Sequence, residues 1–130
     1  PRKAPAGEAD ARVAAIREAV AETLPDLAGR IEVRVFDGLT VDACRVVEAR
    51  HIVRGLRVIS DFEAELQIVH LNRPPAPEID TVFFMTALEY GYLSSSLVKE
   101  IARFGGDVSA MVPAGVAARL RASDVESPPL

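Results

Sequence analysis

Two stretches of this sequence combine residue types and spacing that suit the handling of a phosphate. In Tyr90-Gly91-Tyr92-Leu93-Ser94-Ser95-Ser96-Leu97-Val98-Lys99-Glu100, three consecutive hydroxyl residues open a helical pattern soon after an apolar run. A helix N-terminus presents unpaired backbone N–H groups and the positive end of the macrodipole. Serines placed there either cap the helix or turn their hydroxyls and amides toward an anion. In Arg54-Gly55-Leu56-Arg57, two arginines stand astride a glycine just past the short apolar strand His51-Ile52-Val53. Glycine lets a backbone approach a ligand closely, and the planar guanidinium matches phosphate oxygens. The competing reading of that second stretch is a solvated turn with two surface arginines.

To position such groups, a fold needs strands that end beside the ligand and helices that begin there. The sequence alternates the two. Residues 8–27 are Ala-rich, with Val13, Ile16, Val20 and Leu24 on one helical face. Residues 31–36 alternate apolar and polar and predict a strand, followed by an Asp37-Gly38 turn. Thr40 is placed to cap a second helix through about Ala49, with Val41, Cys44, Val46 and Val47 directed inward and Cys44 acting as a small hydrophobe. Ser60 or Asp61 caps a third helix to about Asn72, with Phe62, Leu66 and Val69 as its apolar stripe and Asp61, Glu63 and Glu65 as a solvated acidic face. His51 and His70 are read as structural. Residues 81–85 form the unbroken apolar run of a parallel strand covered on both faces. The serine-led helix then runs to about Phe104 and stops at Gly105-Gly106, and Pro113 opens a last helix to about Arg121. This is an α/β, Rossmann-like parallel sheet flanked by helices, forming one domain over 1–130 with a loose tail at 123–130.

Bulk properties narrow the function. The chain has 130 residues and a net charge of −4, which argues against a nucleic-acid partner, since that requires a basic face. One cysteine permits no intrachain disulfide, and two histidines give no metal-ligand spacing, so no metal site is assigned. With no membrane-length apolar run and no signal-peptide pattern at the start, a cytoplasmic protein without membrane contact is expected. Walker-A and G-x-G-x-x-G patterns are both missing.

Taken in order, Val53-Arg54-Gly55-Leu56-Arg57, Asp61-Phe62-Glu63-Ala64-Glu65-Leu66-Gln67, Leu71-Asn72-Arg73, Tyr92-Leu93-Ser94-Ser95-Ser96-Leu97-Val98-Lys99-Glu100 and Gly105-Gly106-Asp107-Val108 closely resemble bacterial phosphopantetheine adenylyltransferases. These are members of the HxGH nucleotidyltransferase superfamily. The resemblance covers nearly the whole chain to about Arg121. It implies Mg²⁺-assisted, reversible transfer of the adenylyl group of ATP to 4′-phosphopantetheine, giving dephospho-coenzyme A and pyrophosphate in coenzyme A synthesis. It also implies dephospho-coenzyme A or coenzyme A as ligands and a homo-oligomer, typically a hexamer. By resemblance, Lys3 binds substrate phosphate at the reaction centre, Thr40 holds the pantetheine arm through its backbone, and Arg54 contacts phosphopantetheine. Gly55, Leu56 and Arg57 line the ATP site, with Arg57 on its phosphates, and Glu65 lies near the adenosine ribose. Tyr90, Gly91, Tyr92, Leu93, Ser94, Ser95 and Ser96 close over adenine and triphosphate, with Ser95 and Ser96 nearest the phosphates.

The sequence departs from the family pattern at its start. The family opens with a strand, a G-x-F-D-P-x-x-x-G-H loop, a helix and a second strand, none of which is in this text. In the family those two strands lie between the strands expected here at 31–36 and 51–53, so the sheet is expected to carry a gap. Either an N-terminal portion exists beyond this text and the protein is an ordinary member, or the chain is a true truncation with little transferase activity that must repair its sheet. The alternative function is a non-catalytic ATP- or coenzyme-A-binding remnant lacking the HxGH half of the site. Residues 5–11 replace the usual F-[ST]-L-E-E run, residues 24–30 are a few residues longer than usual, and Thr40 stands where an apolar residue is common.

Overall fold

The computed structural model describes residues 6–57, 59–72 and 76–125. In chain order its elements are α1 (Ala6–Thr23), a 3₁₀ turn (Ala28–Arg30), α2 (Thr40–Val46), β1 (His51–Leu56), α3 (Ile59–Asn72), β2 (Asp80–Met85), a second 3₁₀ turn (Leu88–Tyr90), α4 (Ser95–Arg103) and α5 (Ala114–Val125). The strands pair in parallel, with His51 opposite Asp80 and Leu56 opposite Met85. The protein is therefore α/β, with a parallel sheet flanked by helices. The residues gather into two compact units, Phe36–Tyr92 and the combination of Pro1–Val35 with Leu93–Leu130.

In the Phe36–Tyr92 unit, parallel pairing requires the chain to cross over between β1 and β2, and α3 makes that crossover. Two main-chain bonds extend the ladder: Asp80 N–H donates to Arg50 O at 2.9 Å, and Thr86 N–H donates to Leu56 O at 2.8 Å. The strands alternate strictly, so Ile52, Arg54 and Leu56 share one face of β1 with Thr81 and Phe83 of β2. Phe62 of α3 meets Phe83 edge-on, with ring centroids 5.6 Å apart. Ile52 and Ala49 pack on a buried cluster of Val41, Cys44, Ala76 and Ile79.

The opposite face is bare, which corrects the expectation of a strand covered on both sides. Val53 is 66% exposed and Val82 40%, and Phe84 is exposed as well. An unbroken apolar run reports the strand's propensity, whereas burial requires a covering layer. The second helix is also shorter than expected. α2 ends at Val46, so only Val41 and Cys44, three residues apart, turn inward, and Val46 is 75% exposed. Its N-cap is Leu39, which makes no side-chain cap bond, and Thr40 is the first helical residue instead of the cap.

The other unit packs α1 and α4 on α5. Val98, Ala102, Val108 and Ala117 form its buried cluster, lined by Leu93, Ile101, Met111, Val112 and Leu120. Two carboxylates one turn apart on α1 engage α5. Glu22 accepts a hydrogen bond from Ala114 N–H at 3.3 Å, and Glu18 pairs with Arg119 at 3.0 Å. A Cβ at Gly115 would lie 2.6 Å from Glu18 Oε1, so glycine lets that carboxylate approach. α4 stops as the sequence predicts. Gly105 takes a φ of +76°, and the amides of Gly105 and Gly106 return to Ala102 and Ile101 carbonyls. α5 continues to Val125, so part of the segment expected to be loose is helical. Residues 126–130 lie outside the described residues.

Residues 31–36 do not form the expected strand. Ile31 is extended, Arg34 pairs with Glu32 two residues away, and Arg17 donates to Val33 O at 3.2 Å. Alternation supplies β propensity, but a strand exists only where a neighbour takes its N–H and C=O groups. Among the described residues no strand pairs with this segment.

Candidate functional site

β1 carries the Arg54-Gly55-Leu56-Arg57 stretch, and it runs three residues further than the sequence reading placed it. Arg54, Gly55 and Leu56 therefore lie inside the strand, and only Arg57 follows its carboxyl end, where it is exposed. Each position has a distinct environment. Leu56 is buried and its carbonyl accepts the Thr86 amide, so its side chain belongs to the core. Gly55 faces the bare side of the sheet. A Cβ built there would meet nothing within 4 Å, and its backbone needs no positive φ. The fold itself therefore gives no reason for a glycine at 55.

Arg54 faces α3. Its Nε lies 3.3 Å from Glu65 Oε2, with the two side chains 35% and 25% exposed. The guanidinium N–H is not aligned on that oxygen, which is buried and accepts no hydrogen bond. The contact is thus an ion pair in which the carboxylate keeps an unused lone pair. Phe83, the register partner of Arg54, stands beside it on the same face. Sequence reasoning grouped Glu65 with a solvated acidic face, as holds for the exposed Glu63. The signal it missed was geometric: alternation turns position 54 toward the crossover helix, and Glu65 sits on the helix face that meets it.

Thr40 is half-buried at the start of α2. Tyr90 closes the second 3₁₀ turn, its amide bonded to Ala87 O at 2.9 Å, and the Gly91 amide reaches Leu88 O at 3.2 Å. Tyr92 is exposed. Lys3 lies outside the described residues.

In the other unit, the three serines divide their labour. Ser94 is the N-cap of α4, in extended conformation, and its Oγ accepts the Leu97 amide at 3.2 Å. Ser95 and Ser96 are exposed, and as the first helical residues their amides have no intrahelical acceptor. No acidic residue stands in the first turn of α4, so nothing within the helix neutralises its positive end. Leu93 packs in the core of this unit. A cavity of about 290 Å³ adjoins this helix start, bounded by Ser94, Ser95, Val98, Lys99, Met111 and Leu120 among others. Its apolar wall with hydroxyls and one ammonium at the rim suits a ligand that is part ring and part anion. Among the described residues, no three His, Cys, Asp or Glu side chains cluster to hold a metal ion. No described helix is long and apolar enough to cross a membrane.

Comparison with known proteins gives a consistent picture. No protein-family model matches the chain. Three curated relatives, each named phosphopantetheine adenylyltransferase, align over most of it. The protein from Thermosynechococcus vestitus is 57% identical over 98 residues, covering 75% of this chain and 58% of the relative. That from Heliobacterium modesticaldum is 48% identical over 120 residues, covering 92% and 68%. That from Synechococcus elongatus is 48% identical over 120 residues, covering 92% and 69%. The chain spans less than two thirds of the length of the first of these relatives.

Proposed function

The chain belongs to the phosphopantetheine adenylyltransferase family, and from that membership we propose that the native protein transfers the adenylyl group of ATP to 4′-phosphopantetheine. In the reaction, an oxygen of the 4′-phosphate attacks the α-phosphorus of ATP in line. A new P–O–P bond forms, the α–β bridging bond breaks, and pyrophosphate leaves with its electron pair, giving dephospho-coenzyme A. Such a transfer asks for positioning and cationic stabilisation more than for covalent chemistry.

The family membership carries this reading, and individual residues fit it. Arg54 is proposed to contact the acceptor phosphate, with Thr40 on the pantetheine arm and Lys3 at the reacting phosphate. Gly55 and Leu56 line the nucleotide, Arg57 holds its phosphates, and Glu65 takes the ribose. At Gly55, a strand glycine with open space around its Cα supports a ligand-facing role. Residues 90–96 are proposed to close over adenine and phosphates. Support comes from the exposed Ser95 and Ser96 hydroxyls and the uncompensated N-terminus of α4. The described residues do not fit a protein-held metal. Mg²⁺ would instead arrive on the triphosphate oxygens, which it prefers. Cytoplasmic residence and a hexamer complete the proposal, and light scattering tests the latter by giving or failing to give six times the protomer mass.

Isothermal titration with ATP and with 4′-phosphopantetheine tests the assignments. Arg54→Ala is expected to weaken 4′-phosphopantetheine binding, and Arg57→Ala to weaken ATP binding, each by at least about tenfold, the scale of a lost charge-assisted hydrogen bond. Unchanged affinities in both variants would overturn the reading in favour of a structural α/β domain.

A further inference from the structure

The Arg54–Glu65 ion pair joins two side chains proposed to serve different substrates. Arg54 sits on β1 and Glu65 on α3, within one compact unit, with Nε and Oε2 3.3 Å apart. While the pair is closed, the carboxylate neutralises the guanidinium that an acceptor phosphate would use. The pair is also poorly made. Glu65 Oε2 is buried and accepts no hydrogen bond, so a ligand hydroxyl able to donate one would gain a partner that the protein alone does not provide. Phe83, the register partner of Arg54, adds apolar surface beside the guanidinium on the same face, and a less polar surrounding strengthens the charge interaction.

We propose that Glu65 is a positioning residue that couples the two substrates through Arg54. A nucleotide whose ribose hydroxyl donates to Glu65 draws the carboxylate off the guanidinium and leaves Arg54 free to bind the acceptor's phosphate. By linkage, an acceptor phosphate on Arg54 releases Glu65 for the nucleotide to the same degree. The coupling is positive, and it rests on the functional reading above.

The test titrates 4′-phosphopantetheine into the native protein with and without a non-transferable ATP analogue, and repeats this with Glu65→Gln. In the unsubstituted protein the analogue should tighten acceptor binding by at least about fivefold, the lower end of allosteric couplings. In Glu65→Gln the carboxylate no longer competes, so acceptor binding without the analogue should tighten and the analogue's effect should fall to within twofold of none. A purely structural role for Glu65 would weaken acceptor binding and leave the ratio standing. Two binding events that are independent in the unsubstituted protein overturn the coupling alone, whether or not the variant folds. Failure of both ligands to bind overturns the functional reading and this inference with it.

Discussion

Val53 and Val82 are register partners across the parallel β1–β2 pair, and both turn to solvent on the face opposite α3. With Phe84 they make an apolar strip on a sheet covered from one side only. Exposed apolar strips of this kind favour association. Replacing both valines by threonine keeps shape and β propensity while wetting the surface. Stability by chemical denaturation should stay within about 0.5 kcal/mol per site, as for exposed positions, while sedimentation velocity should show less self-association. A loss of several kcal/mol would mean that the strip is buried in the native protein.

Gly55 gives a second test, because the fold leaves its Cβ position empty. Glycine in a strand interior weakens it, so Gly55→Ala should leave stability unchanged or raise it by up to about 1 kcal/mol. ATP affinity should fall in the same variant, since the added methyl stands where the backbone is proposed to meet the nucleotide. A variant that binds ATP normally would remove Gly55 from the site.

The three serines of α4 separate structural from ligand roles. Ser94→Ala removes the bond to the Leu97 amide and should cost about 1 kcal/mol of stability, the usual loss for an N-cap. Ser95→Ala and Ser96→Ala should change stability by less than about 0.5 kcal/mol and reduce ATP affinity. Thermal melts and nucleotide titrations on the three variants give the pattern, and equal stability losses across all three would contradict it.

Acid sensitivity should trace to two surface carboxylates. Glu78 is held below its ordinary value of 4.5 by its own backbone amide and by Arg45, and Asp107 below its ordinary 3.8 by the Ser109 amide and hydroxyl. A lowered folded value means that the unfolded chain binds the proton more readily. The contribution is therefore complete above the ordinary value and is lost as pH falls through the folded one. Melting temperature should decline mildly below about pH 4.5 on this account, and Glu78→Gln should flatten part of that decline. An identical pH profile in the variant would exclude Glu78.

Much of this architecture was legible in the residues, and the failures have a common cause. The crossover β1–α3–β2, the Gly105 stop and the serine-led helix all follow from local signals: β-branched runs, a glycine free to take positive φ, and a hydroxyl three residues before an amide that needs an acceptor. Residues 31–36 carry the same alternation as a true strand and still do not form one, because pairing depends on a neighbour that local sequence does not specify. Arg54 and Glu65 lie 11 positions apart, and their contact emerges only once the strand alternates and the helix folds back over it. The bare face at Val53 and Val82 is invisible to periodicity for the same reason, since covering is supplied from elsewhere in space.

The most direct test of the central claim is product formation. Native protein incubated with ATP, 4′-phosphopantetheine and Mg²⁺ should yield dephospho-coenzyme A and pyrophosphate in equal amounts, followed by mass spectrometry and a pyrophosphate assay. Binding of both substrates with no dephospho-coenzyme A formed would contradict it.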